Sequence, residues 1–247
     1  MRKALVVGGA NGIGLSIATE LAKREDIEKV YIVDKAVIAG EFMNPKFEEY
    51  QFDLTQQDYS IFDKFLDIDT LMITAGFGRL ALFENVDESM IPLYFNVNTI
   101  PVLRLVKRFY HKLQSQEDFY CGVMVSVAGF MSSPFFSIYG ATKAALKIFI
   151  ESVNVELLKA GHTNQVLNVS PGSLKGTSFD NGKTDLTVTS ELSKEIISNM
   201  ESKNDLFIPK YEEIYKEVLR RYHDDFRKEG AHSYDYKVNR IEASSSK

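Results

Sequence analysis

Tyr139-Gly140-Ala141-Thr142-Lys143 places a phenol and an amine four residues apart. On a helix, positions i and i+4 share one face, so the two side chains can act together. A lysine cation beside a phenol favours the phenolate and draws it below its ordinary value near ~10. Such a phenol can exchange a proton with an alcohol or carbonyl oxygen near neutral pH. Tyr31 and Lys35 repeat the spacing, but on a strand-like run where four residues span roughly 13 Å, which prevents the same cooperation. Only the Tyr139 pair opens a helical pattern, and it follows an apolar run that ends near Ser126. A hydroxyl at the C-terminal edge of a strand points toward a ligand bound at that edge.

The second chemical feature is Val6-Val7-Gly8-Gly9-Ala10-Asn11-Gly12-Ile13-Gly14, between a strand-like run and a helical one. Glycines there let the backbone turn tightly and approach a pyrophosphate closely. The helix that follows offers free N–H groups and the positive end of its dipole to the phosphates. Gly8, Asn11, Gly12, Ile13 and Gly14 are therefore the candidate dinucleotide contacts. Asp34 ends the next strand-like run, 20 positions after Gly14. A carboxylate there accepts hydrogen bonds from the ribose hydroxyls of NAD and repels the extra phosphate of NADP. The expected cofactor is NAD rather than NADP, with Lys35 the nearby cation that could soften the choice.

These residues need rigid elements to hold them. Apolar runs at 4–7, 30–33, 71–74, 123–127 and 166–169 alternate with helical patterns at 15–24, 95–113 and 139–159. Tyr59 to Leu66 is a short polar and aromatic segment. Strands separated by helices predict an α/β fold, a single-domain Rossmann-like doubly wound parallel sheet flanked by helices. Ligands bind such a sheet outside the carboxyl ends of its strands. The 247 residues, 45% hydrophobic and 26% charged, fit one such domain. A net charge of −5 gives a nucleic-acid partner no bulk support. One cysteine, Cys121, excludes an intrachain disulfide and fits a reducing compartment. No apolar run approaches the ~20 residues that span a membrane. His111, His162, His223 and His232 are scattered, with no metal-ligand spacing. The expectation is a cytoplasmic protein without metal, membrane or nucleic acid.

In its glycine spacing, its Tyr-x-x-x-Lys and its preceding serine, the chain resembles the short-chain dehydrogenase/reductase family. Ser126 precedes Tyr139 by 13 positions, the family's customary interval. The resemblance implies NAD(H)-dependent interconversion of a secondary alcohol and a carbonyl by hydride transfer. Tyr139 would be the acid/base, Ser126 would polarise the substrate oxygen, and Lys143 would tune Tyr139 and bind the nicotinamide ribose. Asn98, in Val97-Asn98, would kink a long helix and support a proton relay. The resemblance also assigns Asp53 and Leu54 to the adenine, Ala75 and Gly76 to the turn after the fourth strand, and Pro171, Gly172 and Leu174 to the nicotinamide side. It implies a small-molecule alcohol or carbonyl substrate and a homodimer through the helices holding Asn98 and Tyr139.

The chain departs from the family in several places. Val7 stands where the family has a loop-tying Thr, and Ile73-Thr74 where it has two Asn. Thr177 falls one position after the family's Thr. The Gly-rich final strand is replaced by Leu206-Phe207-Ile208-Pro209 and a charged helix. The expected division is a cofactor-binding domain over 1–241, with a substrate lid over about 173–200 and a helical extension over 211–241. Residues 242–247 are expected as a frayed tail. Tyr211, Tyr215 and Tyr222 read as a packed helix stripe rather than a binding surface. Phe130, Met131, Phe135, Phe136 and Phe179 suggest a pocket for an apolar or aromatic substrate. An NAD(H)-binding regulatory or scaffold protein with little turnover is the second reading. A sugar-nucleotide epimerase or dehydratase shares the Tyr and Lys but needs a larger substrate domain.

Overall fold

The short apolar runs all join one sheet. The computed structural model describes residues 1–177 and 183–245, with the side chains of the last helix as far as residue 239. The strands are β1 (Lys3–Val7), β2 (Lys29–Asp34), β3 (Phe47–Gln51), β4 (Thr70–Ile73), β5 (Tyr120–Met124), β6 (Val166–Val169) and β7 (Leu206–Phe207). They form a seven-stranded sheet in the order β3-β2-β1-β4-β5-β6-β7, and every neighbouring pair is parallel. Near-continuous apolar strands follow from burial on both faces. The order reverses between β1 and β4, with Val7 level with Val33 on one side and Ile73 on the other. A crevice opens at such a switch point, outside the carboxyl ends of the strands.

Helices α1 (Gly12–Ala22) and α6 (Leu186–Glu201) cover one face. Leu15, Ile17, Leu21, Ile196, Ile197 and Met200 pack there with Met72 and Met124 of the sheet. Ser193 Oγ lies 2.8 Å from Ser16 Oγ, locking the two helices together through a buried polar contact. Part of the expected lid over 173–200 lies in α6. Its second half is a core helix because Ile196, Ile197 and Met200 supply a stripe that must be buried. Residues 173–177 and 183–185 remain as the crossover above the sheet edge, and Phe179 lies outside the described residues.

The other face carries α2 (Met90–Asn98), α3 (Ile100–Arg108), α4 (Tyr110–Leu113) and α5 (Ser137–Lys159), together with a 3₁₀ segment, Ser60–Phe65. Phe62, Phe65, Leu105, Phe109, Leu146 and Ile150 form its core. One helix expected over 95–113 is three. Thr99 leaves helical geometry at φ −119°, and Pro101 lacks the N–H that a continuous helix would bond to Val97. Phe109, at φ −93° and ψ 11°, makes the second break. The strand expected over 123–127 ends at Met124, and Ser126 instead caps a 3₁₀ turn, Val127–Gly129, accepting from Ala128 N.

The C-terminal segment also breaks up. Tyr211–Tyr215 is a π-helical turn, followed by α7 (Lys216–Asp224) and α8 (Phe226–Ser245). Asp225 separates the two helices in extended geometry, and its carboxylate accepts from Arg227 N and Lys228 N at the start of α8. Helix α8 runs past 242, where the tail was expected. No described helix is long and apolar enough to cross a membrane.

Candidate active site

The glycine loop joins β1 to α1 at the switch point. Gly8 adopts φ +85°, and a Cβ there would stand 2.4 Å from Ala75 N, so only glycine lets these two turns touch. Gly14 is equally constrained, since a Cβ would meet Gly8 O at 2.2 Å and Thr74 Oγ1 at 2.4 Å. Thr74 carries a role that the sequence concealed. Its hydroxyl is shared between Val7 O at 3.1 Å and Gly8 O at 2.9 Å. The tie that Val7 cannot make from one side is supplied by Thr74 from the other.

The N-terminus of α1 has no acidic residue in its first turn, and Asn11 makes no side-chain cap. Its positive end is thus open to an anion. Gly12 N donates to Thr184 Oγ1 at 2.9 Å, and the Thr177 side chain stands over Gly12, so the crossover borders this cradle. Asp34 is half-buried at the end of β2. One carboxylate oxygen accepts from Ala10 N and the other from Ala36 N, both at 3.0 Å, which fixes the carboxylate beside the loop. Asp53 accepts from Thr55 N and its hydroxyl, and these bonds, with Lys35 nearby, hold its carboxyl below the usual carboxylate range. Leu54 is partly buried against the apolar core, with its carbonyl on Tyr59. Ala75 N donates to Val7 O at 3.1 Å.

Across the crevice lie the proton-transfer candidates. Tyr139 and Lys143 sit one turn apart on α5 and are only 7% and 3% exposed. Ser126, also buried, is near enough to favour the Tyr139 phenolate. Ser126 contacts Pro171 O at 3.4 Å, and Val127 N donates to the same carbonyl, so the Pro171-Gly172 turn is tied to the serine. Leu174 O takes the Thr177 hydroxyl at 2.9 Å. Lys143 Nζ donates to Met124 O at 2.8 Å and lies 5.6 Å from the Tyr139 ring centre. Asn98 ends α2 fully buried. Its oxygen accepts from Phe77 N, and its amide donates to Phe77 O and Thr142 Oγ1. Asn98 Oδ1 and Lys143 Nζ converge on Gly76, where a Cβ would stand 3.2 and 3.5 Å from them.

Burial dominates the electrostatics of this pair. Burial pushes the Tyr139 phenol up to about 12, with only Ser126 pulling it down. Burial likewise pushes Lys143 down to about 7. Lys143 does not draw the phenol below its ordinary value, because its amine points to Met124 O and desolvation favours the neutral form of both groups. A pH dependence follows. The unfolded chain keeps the lysine proton up to the ordinary value of 10.5, whereas the folded chain releases it near 7. Unfolded protein therefore binds more protons between those limits, and the Lys143 penalty on folding is relieved as pH rises from about 7 toward 10. Lys143→Met is expected to stabilise the protein at pH 7 and to gain less at pH 9. Urea unfolding of both proteins at the two pH values measures this, and an equal gain at both would refute it.

Aromatic groups line the same end. Phe77 stacks on Tyr94 at 4.5 Å, and Phe136 lies 5.4 Å from Tyr139, with Ile138 and Met90 beside them. Phe135 is held at φ +67° and its carbonyl accepts from Ala81 N. Phe130 lies under the Lys147 amine and Met131 is half-buried. Tyr215 does not belong to a simple stripe, for its hydroxyl lies against Gly172, where a Cβ would be 1.7 Å away. Neither Thr74, Tyr94 nor Tyr215 stands in a local motif that announces its position. Among the described residues, no group of three or more His, Cys, Asp or Glu is placed to hold a metal.

Comparison with known proteins agrees with this arrangement. The family model described as short chain dehydrogenase matches residues 2–186. Bovine retinol dehydrogenase 8 is 25% identical over 233 residues, covering 88% of this chain and 73% of the relative. Sorbitol-6-phosphate 2-dehydrogenase of Klebsiella pneumoniae is 30% identical over 194 residues, covering 70% of this chain and 69% of that one. A short chain dehydrogenase from Burkholderia cenocepacia, solved with NADP, superposes with a TM-score of 0.75 at 22% identity, over 94% of this chain and 99% of its own. A 3-oxoacyl-[acyl-carrier protein] reductase from Brucella melitensis, solved with NAD, gives 0.65 at 19% identity, over 84% and 94%.

Proposed function

Because the chain belongs to the short chain dehydrogenase family of oxidoreductases, we propose that it interconverts a secondary alcohol and a carbonyl with NAD(H), using Tyr139 as acid/base. The observation that carries this reading is the buried grouping of Ser126, Tyr139 and Lys143 at the strand ends that also hold the glycine cradle. Bound there, the nicotinamide supplies or accepts the hydride. Gly8, Asn11, Gly12, Ile13 and Gly14 cradle the phosphates, while Asp34 takes the ribose hydroxyls. Asp53 and Leu54 border the adenine, and Ala75, Gly76, Pro171, Gly172 and Leu174 flank the nicotinamide half. In reduction Tyr139 gives its hydroxyl proton to the substrate oxygen, which Ser126 holds and polarises. Lys143 binds the ribose and Asn98 keeps the Phe77 turn and α5 in register around it.

Asp34 favours NAD because its fixed carboxylate leaves no room for a phosphate on the ribose. Among the solved neighbours are both NAD and NADP complexes, so the choice rests on this chain's own residues. The apolar surround of Phe77, Tyr94, Phe136 and Ile138 favours a substrate with an apolar or aromatic body, in keeping with the name of the bovine relative. Exposed Leu93, Ile100, Ile148 and Val155 on α2, α3 and α5 favour a homodimer, which light scattering showing only monomer would refute. The reduced, buried Cys121 fits a cytoplasmic setting.

The test is a fluorescence titration of the protein with NADH and NADPH. Tighter binding of NADH is expected. Tighter NADPH binding would mean that Lys35 overrides Asp34, and binding of neither would favour the regulatory or scaffold reading.

A further inference from the structure

The C-terminal helices fold back over the substrate end of the crevice. The Tyr215 hydroxyl rests on Gly172, while α8 lies along the loop that joins Ser126 to Tyr139. The Tyr234 ring sits 5.0 Å from Phe135, and Gly230 lets the helix close on Ser132. Lys237 reaches furthest in. Its Nζ donates to Ser133 Oγ at 2.8 Å and to Pro134 O at 2.7 Å, and stands 5.4 Å from the centre of the Phe136 ring. That ring is in turn 5.4 Å from Tyr139.

The partners of this ammonium are all neutral: a hydroxyl, a carbonyl and a ring face. Among the described residues no carboxylate pairs with it. Lys147 and Lys203 differ, since Lys147 reaches Glu151 at 2.8 Å and Lys203 reaches Asp118 at 3.5 Å. Burial pushes Lys237 down to about 8. Withdrawing a cation from water without a counter-charge is costly, and an anion arriving beside it recovers that cost. Two of the three N–H groups go to Ser133 and Pro134, so one is not committed to a hydrogen-bond acceptor among the described residues.

The Phe136 ring thus stands between the Tyr139 ring, 5.4 Å away, and the Lys237 ammonium, 5.4 Å from its centre. We propose that Lys237 is a specificity residue that binds the anionic group, a carboxylate or a phosphate monoester, of a carbonyl or alcohol substrate whose reacting carbon lies at Tyr139. This rests on the oxidoreductase reading above and gives the far end of its apolar substrate a charge.

Three ketones test it in the wild type, K237Q and K237R: 4-acetylbenzoate, 4-acetylphenyl phosphate and the neutral methyl 4-acetylbenzoate. In K237Q, kcat/KM for at least one acid should fall about tenfold more than for the ester, chiefly through KM, and K237R should recover most of the loss. The acid that falls identifies the anion. An equal proportional fall for all three ketones would make Lys237 only a brace for the loop, and no fall for either acid would likewise overturn the proposal. Calorimetric binding of 4-acetylbenzoate and 4-acetylphenyl phosphate to the NADH complex reads the same contact without turnover. Binding of an acid that weakens in K237Q supports the proposal, and binding that is absent or equal in both proteins overturns it. The oxidoreductase reading fails separately, by a Tyr139→Phe variant that retains turnover.

Discussion

Tyr139→Phe should lower turnover by about 10²- to 10⁴-fold, the usual contribution of a positioned acid/base, while NADH affinity stays within about twofold. The ring is buried among Phe136, Ile138 and Tyr94, so removing one oxygen leaves its packing in place. Ser126 keeps the Ala128 amide and the Pro171 carbonyl. The loss therefore reports on the proton and not on the fold. A phenol pushed up to about 12 holds its proton through the neutral range. Reduction, which consumes that proton, should vary little between about pH 6 and 9, whereas oxidation of the alcohol, which needs the phenolate, should accelerate as pH rises. Steady-state rates in both directions, beside an NADH titration, check all three statements. Full activity in the variant would remove Tyr139 from the mechanism.

Gly14→Ala is expected to be as damaging by a different route. The added methyl would lie 2.2 Å from Gly8 O and 2.4 Å from Thr74 Oγ1. Neither neighbour can yield easily, since Gly8 is backbone pinned by its N–H on Val33 O, and Thr74 is tied to Val7 and Gly8. The first turn of α1 must move away from β1, and overpacking of this kind costs about 1–3 kcal/mol. The same movement displaces the N–H groups aimed at the phosphates. NADH affinity should fall by at least about tenfold, the equivalent of ~1.4 kcal/mol. Thermal unfolding and cofactor titration of the variant measure the two effects together. A variant with wild-type affinity would show that the loop does not hold the cofactor. Gly40→Ala provides the control, because a Cβ there meets nothing within 4 Å.

The strand runs and the glycine loop were readable from sequence because their physics is local. A buried parallel strand must be apolar, and a turn this tight must use glycine. The Tyr139 and Lys143 pairing was readable for the same reason, as a helix brings i and i+4 together wherever it lies. Their protonation was not readable, because it depends on where the Lys143 amine points and on how dry the site is. Thr74 escaped notice because its partners lie 66 and 67 positions away, across two strands. Breaks at Thr99, Phe109 and Asp225 fell inside stretches whose average composition still favours helix. The tyrosines of 211–222 illustrate the largest gap. Their spacing describes one helix face, whereas a π-helical turn rotates Tyr215 away and sends it across the molecule to Gly172.

The return of α8 onto the loop before Tyr139 also orders the birth of the protein in time. Chains emerge from the ribosome N-terminus first, and folding begins before synthesis ends. Every strand that frames the glycine cradle has been made once Val169 is out, whereas Tyr234 and Lys237 follow only 65 and 68 residues later. A nascent chain can thus assemble the sheet and its glycine loop while the helix that packs on the loop before Tyr139 is still unsynthesised. Binding competence and substrate discrimination would be acquired in sequence, the second at the close of translation.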